Sequence, residues 1–200
     1  MNDTTNTPTT IHGDSNDDER HAIQTYLSDM LALEQHIVKP LEQQEKLDDT
    51  GRYAEASQIV TKLRGIAESH IAALEKALDA EGGHAAAPLK SAWSQLLGVG
   101  AAAIGAARKT NVSKNLRDDY AALALASISY TMLHATALGL NDQASAQLAK
   151  TNLDDYAPIV IEIGKVMPRV VLQELRDEGR EVRITEAELA EQNTSAAWQQ

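Results

Sequence analysis

The chain has no cysteine and no phenylalanine, and aromatic residues make up only 4% of its 200 positions. The lack of cysteine removes disulfides, thiolate zinc sites, iron–sulfur clusters and cysteine nucleophiles together. Positive charge is also scarce: 18 Lys and Arg stand against 29 Asp and Glu, a formal net charge of −11. A chain this acidic repels phosphate backbones, so nucleic acid is not an expected partner. The longest apolar run, Leu96 to Ala107, is well short of the ~20 residues that span a bilayer. Arg108 and Lys109 close it. It reads as a buried helix, with an interfacial contact as the other reading and no stable membrane insertion. Residues 1–16 lack a basic segment followed by an apolar one, which argues against a secretory signal. They read as a disordered polar tail on a cytoplasmic protein.

No strand alternation, internal repeat, phosphate-binding loop, nucleophile elbow or dinucleotide fingerprint appears. The glycines from Gly98 to Gly105 follow no strand, so they read as small residues for close helix packing. The acidic pairs Asp17-Asp18, Asp48-Asp49, Asp118-Asp119 and Asp154-Asp155 fall at expected helix starts or turns, where acid complements the helix dipole.

Helical periodicity fills the rest. Apolar residues are 43% of the chain, enough for one core, expected over residues 17–178. Ile23, Leu27, Met30, Leu31, Ile37, Val38 and Leu41 recur at the 3.6-residue period, with Pro40 expected to kink or interrupt that helix. A turn at Asp48 to Gly51 leads to a second helix from about Tyr53 to Ala80, ended by Gly82-Gly83. Pro88 opens a shorter helix carrying Leu89, Trp93, Leu96 and Leu97. A third long helix, about Leu116 to Leu138, is apolar over most of its circumference and is expected to lie centrally. After a turn at Gly139 to Asp142, a short helix to Leu153 and a separate helix from Asp154 to Asp177 are expected, with Pro168 bending the latter. Residues 179–200 form a charged tail, and a capping box from Thr185 to Glu188 predicts a short exposed helix there. The fold class is all-α: a ferritin-like four-helix bundle with a helical crossover between helices 2 and 3.

Polar residues on apolar stripes are the candidate functional residues, because burying them unpaired is costly. Glu34 lies mid-stripe on the first helix and His70 mid-stripe on the second. His134 lies one turn beyond Tyr130. Asp155 and Glu162 flank the last stripe. Bundle-core dinuclear sites use inward carboxylates with Glu-x-x-His pairs, so Glu34, His70, Asp155 and Glu162 are the candidate metal residues. The other reading pairs Glu34 with His70, Tyr or Arg, makes His70 and His134 satisfied core histidines, and has the tyrosines hydrogen-bonded through their hydroxyls.

The runs Tyr26-Leu-Ser-Asp-Met-Leu-Ala-Leu-Glu34, Ala67-Glu-Ser-His70-Ile-Ala-Ala-Leu-Glu75, Leu133-His-Ala-Thr-Ala-Leu-Gly-Leu140 and Leu153-Asp-Asp155 carry a resemblance. Over roughly residues 20–176 the chain resembles the ferritin-like bundle proteins of the YciE/YciF stress type. That resemblance implies a di-metal bundle, often dimeric and associated with stress responses. Three positions depart from the pattern: position 67 is Ala, position 158 is Pro, and Tyr120 to Gly139 contains no acid. The expectation is therefore a non-catalytic, stress-associated homo-oligomer with a degenerate site and no cofactor. The alternative is a divergent carboxylate protein that binds or oxidises iron, or binds manganese.

Overall fold

The computed structural model describes residues 13–45, 51–82 and 111–197. Among these, five helices occur and no strand: α1 (Gly13–Gln44), α2 (Ala54–Ala80), α3 (Val112–Gly139), α4 (Gln143–Asp177) and α5 (Glu186–Ala196). The protein is an all-α helical bundle. The expected helix after Pro88, and with it the crossover, lies outside the described residues.

Directions follow from contacts along the helices. Gln24 Nε2 donates to the Glu81 carbonyl and Arg64 pairs with Glu45, so α1 and α2 run antiparallel. Tyr130 meets Glu34 and Asp119 meets Gln44, so α3 also opposes α1. Glu55–Arg169 and Lys62–Glu162 set α4 against α2, and Ser113–Glu174 sets it against α3. The order is up, down, down, up. Helices α1 and α4 each pack on both α2 and α3, which places α2 and α3 at opposite corners.

The core is built from one stripe per helix. Leu27, Met30, Leu41, Leu63, Leu74, Leu116, Leu123, Leu133 and Ile159 are its largest aliphatic members, each essentially without solvent contact. On α4 the buried positions are Ser145, Ala149, Asn152, Tyr156, Ile159, Ile163 and Val170, an almost unbroken four–three alternation. That regularity runs through Asp154 and Asp155, so the expected separate short helix and last helix are one element. Leu138 accepts from Asn141 N–H in the turn before it; Asn141 takes a left-handed φ of 60°, and the Asp142 side chain then caps α4 by accepting from Ser145 N–H.

Three prolines were expected to begin, bend or break helices, yet Pro40, Pro158 and Pro168 all sit inside continuous helices. Each removes one bond to the carbonyl four residues back. Those residues, His36, Asp154 and Gly164, are all exposed, so water can take the freed acceptor.

The N-terminus of α3 is capped from outside. Asn111 makes no side-chain capping bond. Instead the Glu174 carboxylate accepts from both Ser113 N–H and Ser113 Oγ–H. A carboxylate at this end also suits the helix dipole. The expected Thr185 cap is likewise absent: Thr185 has helical dihedrals and makes no side-chain capping bond. Helix α5 is not a free exposed tail either. It packs on α4, burying Ala187 and placing Glu191 3.9 Å from Arg169.

Helix α3 is not enclosed on all sides among the described residues. Its inward face holds Leu123, Tyr130 and Leu133, whereas Ile128 and Met132 are 57% and 49% exposed. Apolar composition all round gave no way to distinguish an inner from an outer face, and α1 and α4 cover only part of the circumference.

Candidate functional site

Glu34 has no solvent exposure, in the middle of α1. The 3.6-residue period that places Leu27, Ile37 and Leu41 in the core places Glu34 there too. A buried carboxylate is tolerated only if its lone pairs are taken by donors, and here they are. Tyr130 Oη donates to Oε1 at 2.6 Å and His70 Nδ1 lies 3.0 Å from the same oxygen. Tyr156 Oη donates to Oε2. Each of the other three long helices thus sends one side chain to Glu34.

The surroundings complete the cluster. Asn152 Nδ2 donates to Tyr130 Oη at 2.9 Å, so that hydroxyl both donates and accepts. The His70 ring stands edge-on to Tyr156, with centroids 4.7 Å apart at 66°, and to Tyr130 at 5.8 Å and 81°. Burial, followed by the negative charge of Glu34, pushes both tyrosine hydroxyls far above their ordinary range. They remain phenols and therefore donors. The second His70 nitrogen, Nε2, lies 3.3 Å from Asp155 Oδ2. The Asp155 side chain is 51% exposed, so the imidazole bridges a buried carboxylate and a wet one. A neutral imidazole has one N–H, whereas the protonated ring has two and can donate to both.

Of the four candidate metal residues, the structure brings together Glu34, His70 and Asp155. It does not bring Glu162. Asp155 and Glu162 are seven residues apart and share a face, but that face is the rim toward α2, where Glu162 pairs with Lys62 at 3.1 Å. His134 is engaged with the Ala146 carbonyl at 2.8 Å. Two polar members were not singled out from sequence. Asn152 is on the α4 stripe, visible only once α4 is read as continuous. Asp119, near the start of α3, is 6% exposed. Its Oδ1 accepts from Gln44 Nε2 at 2.9 Å. Its Oδ2 has no hydrogen-bond partner among the described residues. Burial raises its pKa from the ordinary carboxylate value to about 7, with the neighbouring Asp118 charge acting the same way against the Gln44 bond.

The donor set does not fit a dinuclear centre. Such centres in bundles take Glu from two helices and Glu-x-x-His from the other two. Here one carboxylate is buried, and it already accepts from three groups. The carboxylates of Glu34 and Asp155 also lie on opposite nitrogens of one ring. An ion bound through either nitrogen would meet only one of them. Among the described residues, no group of three or more His, Asp or Glu is arranged to hold a metal ion.

No family model and no curated protein match the sequence. The fold is shared with a solved structure. Protein XCC3681 from Xanthomonas campestris pv. campestris str. ATCC 33913 aligns with a TM-score of 0.66, over 82% of this chain and 99% of that one. At 16% identity, that likeness bears on the fold alone.

Proposed function

We propose that this is a non-catalytic, ferritin-like helical-bundle protein with a structural or interaction role. The observation that supports it is the state of Glu34. In a working carboxylate site the lone pairs face an ion; here they accept from Tyr130, Tyr156 and His70. A fully satisfied buried polar cluster specifies which helices meet and in what register. Its members come from α1, α2, α3 and α4, so it ties all four long helices at one level. The resemblance to the YciE/YciF-type bundles supports a stress-associated, cytoplasmic, homo-oligomeric protein.

The purified protein is expected to carry far less than one iron or manganese ion per chain and to show negligible iron oxidation. Elemental analysis with a ferrous oxidation assay checks both. The second reading, a divergent iron- or manganese-binding carboxylate protein, is favoured by one observation, the convergence of Glu34, His70 and Asp155. Two tightly held ions per chain, lost on replacing Glu34 or His70, would establish that reading instead.

A further inference from the structure

On α3, Ala121, Leu125, Ile128, Met132 and Ala135 follow one another at intervals of four, three, four and three. That alternation is the seam pattern of a helix packed against another element. This seam faces outward: Ile128 and Met132 are about half exposed or more, and Ala121 and Ala135 are exposed. It is also uncharged. From Tyr120 to Gly139 there is no Asp, Glu, Lys or Arg, in a chain of net charge −11. The one titratable imidazole there, His134, is turned to the Ala146 carbonyl of α4.

Topology narrows what can cover it. The end of α2 lies beside the start of α1, where Gln24 and Arg20 meet Glu81. The start of α3 lies beside the end of α1, where Gln44 meets Asp119. The connection from Gly82 to Asn111 therefore joins opposite ends of the bundle, a distance of about 40 Å for helices of this length. Residues 83–110 must pass along the bundle and arrive at α3 itself. Within them, Leu96-Leu-Gly-Val-Gly-Ala-Ala-Ala-Ile-Gly-Ala-Ala107 is uncharged and small, matching the seam in both respects.

We infer that the outward seam of α3 is the docking face of this chain's own segment Leu96–Ala107. A tethered segment acts at an effective concentration in the millimolar range, so a short stripe suffices. The seam is only ~21 Å long. A second copy would need roughly 1,000 Å² of buried surface for a stable interface and would bring two strongly acidic chains together.

The absence of cysteine makes the test direct. Ile128→Cys is combined in turn with Leu97→Cys, Ala101→Cys and Ile104→Cys in the full chain, and oxidised at low protein concentration. At least one pair is expected to close an intrachain disulfide at least tenfold faster than the same segment position combined with Ala72→Cys on the exposed face of α2. Circular dichroism of each reduced variant verifies folding. Three outcomes would overturn the inference. They are equal rates with the α2 control or no crosslink in any pair, a dominant interchain disulfide through position 128 (a second copy), and protection of the position-128 thiol from maleimide only when phosphatidylcholine vesicles are added (a lipid surface).

Discussion

Glu34→Ala is expected to destabilise the bundle by about 3–5 kcal/mol, the cost of removing one partner from a buried charged cluster. The change strands three groups together. Tyr130 Oη and Tyr156 Oη lose their acceptor, and His70 keeps only the half-exposed Asp155. None of the three can turn to water without opening the core, since Tyr130 and Tyr156 are fully buried and His70 is 2% exposed. Tyr156→Phe and Tyr130→Phe each remove a single donor and are expected to cost about 1–3 kcal/mol. They differ in what is left behind. Tyr156→Phe deprives Oε2 of its donor, whereas Tyr130→Phe leaves Oε1 to His70 and strands the Asn152 amide instead. Urea unfolding in chelator checks the order, and a Glu34→Ala variant within 1 kcal/mol of the parent would show that the cluster contributes no stability.

Asp119→Asn is expected to stabilise the protein above neutral pH and to flatten its pH dependence. In the unfolded chain the Asp119 carboxyl titrates at the ordinary value of 3.8; in the folded bundle burial moves it to about 7. Between those values the native state holds a proton that the unfolded state has released. Stability contributed by this group therefore falls as pH rises from about 4 to about 7, then levels. The span corresponds to about 4 kcal/mol at 1.36 kcal/mol per unit. Asparagine copies the protonated acid: its carbonyl can accept from Gln44 Nε2, and no charge is buried. Urea midpoints for parent and variant at pH 5 and pH 8 should nearly coincide at the lower pH and separate at the higher. Equal pH slopes would mean that the Asp119 carboxylate is not held out of water.

The sequence showed the long helices and the facing of Glu34 and His70 because both depend on periodicity. A short turn between two regular stripes leaves their midpoints opposed, and the 3.0 Å contact is what that register requires. Depth was not legible. Asp155 and Glu162 occupy one helical face at a spacing of seven, and periodicity treats them alike; only the packing of α2 against α4 puts one on His70 and the other on Lys62. The prolines misled in a consistent direction. Reading Pro158 as a helix start split α4 in two and hid Asn152, because local propensity was weighed without the solvent that relieves it. The tyrosines were legible as hydrogen-bonded core residues, but not that Tyr130 and Tyr156 share one carboxylate. Helix α3 failed for a different reason: hydrophobicity on every face says nothing about which face a neighbour occupies.

The central claim is that Glu34 and His70 lie on apolar stripes because they satisfy each other and the tyrosines. It is tested most directly by a double-mutant cycle of Glu34→Met and His70→Leu, measured by urea unfolding in chelator. The account predicts that each single change is destabilising, that the double variant loses less than the sum of the two, and that the coupling is at least about 1 kcal/mol. Additive losses, or single variants more stable than the metal-free parent, would contradict it: the first would mean that the side chains do not interact, the second that they are ligands crowded together for an ion.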